Sequence, residues 1–313
     1  MRFLIAGPGA VGGFVAARLA EGGHDVTVLA RPRRAEELRD NGLRLAGPGG
    51  NRTVRTAVVT ADQVGSGYDA IVLAVRTAAL PSVLDDIGPA VTPSAMILPF
   101  LNGIAHLDAL VGRFSSAVLG GVVRVATELD DDGRIRVLAP AFDVEVGELE
   151  RPPSTRIEEL ASAFRDAGAS VTVPDDIVGA MWAKWVFIAS IAAVTSLMRA
   201  AVGDIVAVPG GEQFARAVLA EAAAAAQAAG HPVPGGQLQQ AAQTLTTTGS
   251  PVTASMSRDL MAGRPVEVEV LGDFAQQARA AGVPAPLIEV SALALSVHNR
   301  RLRTASPSGH CGS

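Results

Sequence analysis

The sequence predicts an α/β protein in two parts, a parallel-sheet domain over residues 1–175 and an all-helical domain over residues 176–303. Three features predict it. Short apolar runs of strand length alternate with helix-like stretches through the first half. The first of these runs breaks into a glycine-rich turn, and from about Asp176 the chain becomes Ala-rich with helical periodicity.

The elements follow in order. "RFLIA", "DVTVLA", "DAIVLAV" and "AMILPFL" have strand length and are separated by helix-like stretches such as residues 11–20 and 35–41, which reads as βαβ repetition. A further β-rich region, "AVLGGVVRVATEL", "RIRVLA" and "DVEVGEL", is split by the turn "DDDG" and reads as antiparallel, extending or capping the sheet. The second half holds the long helical segment beginning "IVGAMWAKWVF", then "EQFARAVLAEAAAAAQAAG", "GGQLQQAAQTL" and "VEVLGDFAQQARAAG", several stopping at Gly followed by Pro. "VEVEVL" alternates like a strand and leaves the start of the last helix open. The tail, residues 304–313, has no apolar face to bury and is read as disordered.

Composition excludes several functions. A chain of 313 residues suits two domains at roughly 100–200 residues each. The net charge of -5, with no stretch interleaving basic and aromatic residues, argues against a nucleic-acid partner. The one cysteine, Cys311, allows neither a disulfide framework nor a thiolate cage, and the five histidines are scattered, so no metal site is expected. The start "MRFLIAG" passes into the glycines with no cleavage site, consistent with a cytoplasmic protein. Ile177–Met198 carries one charge, Lys184, over a length that could span a bilayer, but its Ala and Ser content and missing basic flanks suit a buried helix better, so no membrane is expected. The Ala-rich residues 220–229 can pack within the domain or against a partner subunit, leaving a homodimer open.

Gly7, Gly9 and Gly12 have the spacing G-x-G-x-x-G, after a strand and at the opening of a helix. This reads as a Rossmann-type dinucleotide-binding arrangement, the competing reading being a plain strand-to-helix turn. The first glycine permits the tight turn, the second lets backbone approach a pyrophosphate, and the third lets helix and strand pack closely. The first helical N–H groups, at Ala10 and Val11, face the phosphates. At the end of the second strand, where NAD binders place a carboxylate for the ribose, the sequence reads "LARPRR". Arg31 can pair with a 2′-phosphate, with Arg33 or Arg34 adding a second contact, so NADPH is favoured; the competing reading is a solvated basic loop.

A second group of residues lies in the helical half and at the sheet edge. Lys184 stands between Trp182 and Trp185, where burial would lower its pKa toward the range of a proton donor, or it snorkels to the helix surface. Ser255 and Asp259 share a face if their segment is helical, and Glu267 follows as an orienting carboxylate or a surface charge. Asn102 comes after a strand, at a ligand-binding edge or in a plain Asn-Gly turn.

In this order, "GPGAVG", Arg31, "NG" at Asn102, "VEVGEL", "WAKW" and "SMSRDLMAGRPVEVE" resemble the ketopantoate reductase family, the NADPH-dependent 2-dehydropantoate 2-reductases, over residues 1 to about 303. The resemblance implies an N-terminal Rossmann domain, a C-terminal helical domain and substrate in the cleft between them. It makes Lys184 the general acid and Glu267 the residue that holds it. Ser255, Asp259 and Asn102 become substrate contacts, Asn102 also touching cofactor, and Arg31 becomes the 2′-phosphate ligand. Two departures stand out. Ile188 and Ala192 occupy positions where the family commonly has Asn, and Arg76 replaces a cofactor-side Lys. The implied activity is NADPH-dependent reduction of a small 2-oxo acid, ketopantoate leading narrowly over a more apolar carbonyl compound. A non-catalytic NADPH sensor is the contrasting class, and a membrane-anchored protein a third.

Overall fold

The computed structural model describes residues 1–150 and 154–305. Two compact units divide between Met181 and Trp182, inside one helix, a few residues beyond the boundary read from the sequence. Most of the tail read as disordered, Cys311 included, lies outside the described residues, but Thr304 and Ala305 do not start it: they continue the last helix.

The first unit runs β1 (Arg2–Ala6), α1 (Ala10–Glu21), β2 (Asp25–Leu29), α2 (Pro32–Asn41), β3 (Leu43–Ala46), β4 (Arg52–Val54), β5 (Ala57–Val59), β6 (Ala70–Leu73), α3 (Leu80–Ile87), β7 (Met96–Pro99), α4 (His106–Phe114), β8 (Leu119–Leu129), β9 (Ile135–Glu148), α5 (Thr155–Asp166) and β10 (Ser170–Thr172). The sheet order is β5-β2-β1-β6-β7, all pairs parallel. Beyond the exposed first residues Arg2 and Asp25 its strands are almost entirely apolar, because both faces are covered. Phe3, Ile5 and Val28 pack with residues of α1 and α5, while Leu4, Leu29 and Ile71 pack with Leu84 of α3 and Leu110 of α4. Phe164 of α5 meets Phe3 and Phe100 edge-on at 6.2 and 5.8 Å. From β1 the chain builds outward through β2 and β5, then returns to lay β6 on the other side of β1, so the order switches direction beside the glycine turn.

The β-rich region after β7 does not extend this sheet. β8 and β9 are antiparallel as the turn implied, but they belong to a second sheet, in which β9 carries β8 on one side and β3 and β10 on the other. One isolated bridge, Ile97 to Val118, touches the first sheet. "RIRVLA" and "DVEVGEL" are one strand, β9, rather than two.

α6 (Ile177–Met198) leads into α7 (Val202–Val206), α8 (Gly211–Ala228), α9 (Gly235–Thr246), α10 (Ser255–Met261), α11 (Glu269–Ala280) and α12 (Pro286–Ala305). α6 is long and apolar enough to cross a membrane, yet 67% of its most apolar window is buried in the protein. α8 contacts α7, α9, α11 and α12, and its Ala222, Ala225 and Ala226 are buried, so the Ala-rich tract packs within its unit. Glu221 on α8 accepts the N–H groups of Leu287 and Ile288 at 3.0 and 3.3 Å, capping α12. "VEVEVL" forms no strand: Glu267 lies in the loop between α10 and α11.

Candidate active site

In the first unit, parallel pairing places the C-terminal ends of β1, β2, β6 and β7 along one edge. Gly7, Arg31, Arg76 and Asn102 all follow these ends, so one edge gathers every candidate residue of this half. The glycine turn is sterically specified. Gly7 has φ +92°, and a Cβ there would lie 2.5 Å from Val75 Cγ1; a Cβ on Gly12 would lie 2.2 Å from the Gly7 carbonyl oxygen. A Cβ on Gly9 meets nothing within 4 Å. Gly7 and Gly12 are therefore required by packing against the protein itself, whereas Gly9 leaves open space beside the helix start. The first helical bond from this turn, Gly13 N–H to Gly9 carbonyl at 2.9 Å, leaves the N–H groups of Ala10, Val11 and Gly12 ahead of it. Open space beside N–H donors at a helix N-terminus fits a dinucleotide pyrophosphate.

Arg31 is exposed at the N-cap of α2, its carbonyl accepting the Ala35 N–H at 2.8 Å, and its guanidinium makes no ion pair among the described residues. The two neighbouring arginines differ from it. Arg34 donates to the Gly133 carbonyl at 3.1 Å and to Glu37 at 3.2 Å, tying α2 to the β8–β9 turn, and Arg33 lies 3.4 Å from Glu37. Of the three, Arg31 is the one left for a ligand. Arg76 is exposed at the start of a short turn, its carbonyl accepting the Ala79 N–H at 2.9 Å. Asn102 is half-buried and followed by Gly103 at φ +82°, so it occupies both an Asn-Gly turn and the sheet edge.

In the second unit, packing sets the rotation of α6. Trp182 and Trp185 are 2% and 1% exposed; Trp185 lies edge-on to Phe274 at 4.8 Å, and Trp182 stacks on His231 at 5.6 Å. With both indoles turned into the core, Lys184 appears on a half-buried face with Ala180, Phe187 and Ile188, each one turn away. Ala192, by contrast, is 0% exposed. Of the two departures from the family pattern, Ile188 remains accessible and Ala192 does not.

Trp185 also links Lys184 to Glu267. Its Nε1 donates to the Val270 carbonyl at 3.0 Å, joining the turn that carries Lys184 to the start of α11, three residues past Glu267. The start of α10 is tied to α6 as well. Thr195 Oγ1 accepts the Ala254 N–H at 3.2 Å and the Ser257 hydroxyl donates to the Thr195 carbonyl at 3.1 Å, leaving Ser255 exposed as the first residue of α10. Asp259 is on the same helix, as expected, and accepts from Arg264 Nε at 2.8 Å.

An open cavity of about 390 Å³ lies elsewhere, lined by Glu269, Asp273, Arg279 and Glu289 of α11 and α12 and by none of the candidate residues. Burial, helped by the charge of Glu269, raises the Asp273 carboxyl pKa. Burial likewise raises that of Glu221, against the lowering pull of its two backbone donors.

One signal was legible in composition without any fold: Lys184 is the only lysine among the 26 Lys and Arg residues. Every other basic position of that kind carries a guanidinium.

Residues 3–151 match the family model described as ketopantoate reductase PanE/ApbA, and residues 176–297 match the model of its C terminal part. The chain is 31% identical to the uncharacterized oxidoreductase YkpB of Bacillus subtilis, over 92% of this chain and 96% of that protein. It is 30% identical to a 2-dehydropantoate 2-reductase of Mesorhizobium japonicum, over 92% and 95%. The solved structure of a 2-dehydropantoate 2-reductase from Geobacter metallireducens aligns with a TM-score of 0.87 at 27% identity, covering 95% of this chain and 99% of that one.

Proposed function

The chain belongs to the ketopantoate reductase family and is an oxidoreductase, and from that premise we propose that it reduces a 2-oxo acid to the 2-hydroxy acid with NADPH, ketopantoate to pantoate being the leading candidate. The observation that carries the proposal is the single lysine on the half-buried face of α6. A guanidinium stays charged at any working pH, whereas an ammonium can surrender a proton and recover it. A chain that uses arginine at its other such positions and lysine here has a use for that difference.

When bound, the reduced nicotinamide supplies the hydride. The Lys184 ammonium donates a hydrogen bond to the carbonyl oxygen and passes it a proton as that oxygen gains charge, then recovers a proton from solvent. Glu267 orients the ammonium and compensates its charge. Ser255, Asp259 and Asn102 supply polar contacts for substrate; the N–H groups of Ala10, Val11 and Gly12 hold the pyrophosphate, and Arg31 the 2′-phosphate, with Arg76 adding positive charge on the cofactor side. The test follows NADPH oxidation with a panel of 2-oxo acids that includes ketopantoate, in the parent and in Lys184→Arg. The arginine variant should retain NADPH binding and lose on the order of 10²–10⁴ in turnover. Equal turnover in the variant would remove Lys184 as the proton donor, and none in the parent with every 2-oxo acid would favour the sensor reading.

A second reading has its own observation. Ile188 is accessible one turn beyond Lys184 and beside Phe187, which favours a substrate with an apolar group at that point. In the same panel, a bulkier apolar 2-oxo acid outperforming ketopantoate supports it, and robust turnover of ketopantoate removes it.

A further inference from the structure

We propose that Asn299 is a positioning residue for the Glu267 carboxylate, acting through the Val266 peptide; this rests on the reading that Glu267 holds the Lys184 ammonium. Asn299 lies on α12, and its amide brackets a single residue. Oδ1 accepts the Val266 N–H at 2.9 Å and Nδ2 donates to the Val266 carbonyl at 2.8 Å. The residue after Val266 is Glu267. One position earlier on α12, His298 Nε2 lies 3.0 Å from the Arg264 carbonyl, so the helix grips the loop twice. On its other side the loop runs into α11, where Trp185 holds the Val270 carbonyl. Glu267 thus stands between a peptide anchored to α12 and a carbonyl anchored to the helix that carries Lys184.

The bracket is needed because the segment between α10 and α11 has no ladder of its own. Val266 is 4% exposed, so its N–H and carbonyl cannot turn to water. The Val268 N–H also donates to that carbonyl, at 3.0 Å, while the Val266 N–H is held by Asn299. Removing the amide strands a buried donor, and the loop must shift to recover it. A small displacement of Glu267 weakens its hold on an ammonium, so Asn299 reaches the chemistry without touching it. The other charged and titratable groups on these elements are Arg258 and Asp259 of α10, Asp259 pairing with Arg264 of the loop at 2.8 Å, then Glu269, Asp273 and Arg279 of α11, and Glu289, His298, Arg300, Arg301 and Arg303 of α12.

The lone lysine makes this testable without turnover. A full chain labelled with ¹⁵N-lysine carries one lysine side-chain signal, whose titration reports Lys184 directly. Glu267→Gln should lower the midpoint by about one pH unit, the effect of losing a nearby opposite charge. Asn299→Leu should lower it in the same direction by at least half as much, and the double variant no further than Glu267→Gln alone. An unchanged midpoint in Asn299→Leu beside a shifted one in Glu267→Gln overturns the positioning role, as does full additivity. An unchanged midpoint in Glu267→Gln instead overturns the reading beneath it. Asn299→Ala removes both bonds without adding charge or bulk; a shift in the same direction is expected, and this variant carries the test where Asn299→Leu does not fold.

Discussion

Trp185 Nε1 and the Val270 carbonyl form a 3.0 Å hydrogen bond from a ring that is 1% exposed, and this bond joins the helix of Lys184 to the segment of Glu267. Trp185→Phe keeps an aromatic ring against Phe274 but loses the bond and some volume. A stability loss of about 1–2 kcal/mol is expected in urea unfolding. Turnover should fall more than KM rises, because the loop loses an anchor while the binding groups stay. A variant with unchanged kcat would separate this bond from the chemistry.

The glycine turn predicts opposite phenotypes at two positions. Gly12→Ala places a methyl 2.2 Å from the Gly7 carbonyl oxygen, so the turn must open and thermal stability must drop. Gly9→Ala has open space for its methyl and should melt like the parent. Its loss should appear only as weaker dinucleotide binding, measured by fluorescence titration of NADPH. Unimpaired binding by Gly9→Ala would show that no phosphate occupies that space.

Arg31 is exposed and unpaired among the described residues, so replacing it removes nothing structural. Arg31→Gln should leave the melting temperature in place. Losing a charge-assisted bond worth about 1.5–3 kcal/mol should raise the KM for NADPH roughly tenfold to a hundredfold, with the KM for NADH little changed. A parallel rise for both cofactors would remove Arg31 as the source of discrimination.

Asp273 has a carboxyl pKa raised by burial and by Glu269, so the folded protein holds this proton more tightly than the unfolded chain does. The sign follows: above the raised pKa the buried charge costs stability, and the cost disappears as pH falls through that pKa toward the ordinary carboxylate value of about 4. Asp273→Asn should therefore melt higher than the parent at pH 7, with the difference closing in mildly acidic buffer. Glu221, also raised, contributes the same slope. A gap that widens on acidification would contradict the assignment.

The nucleotide half was legible where its signals are contiguous. A strand, a glycine turn and a helix within some twenty residues encode their own geometry, and the exposed Arg31 follows directly from the next strand. The second sheet was not legible, because β3 and β10 are short and gain their meaning only by pairing with β9, roughly 90 and 30 residues away in the chain. "VEVEVL" misled for the same reason: its alternation matches a strand, but it has no strand to pair with, and Asn299 satisfies its backbone instead.

By itself the sequence determined the fold class, the glycine turn between the first strand and helix, and the position of its single lysine among arginines. Tertiary structure alone decided which of Arg31, Arg33 and Arg34 is left for a ligand, which of Ile188 and Ala192 is accessible, and what holds the Glu267 loop. The division has a physical cause. Local backbone preferences and periodicity act over a few residues and can be read along the chain, whereas the rotation of α6 and the partners of a loop peptide are set by side chains packing from distant segments.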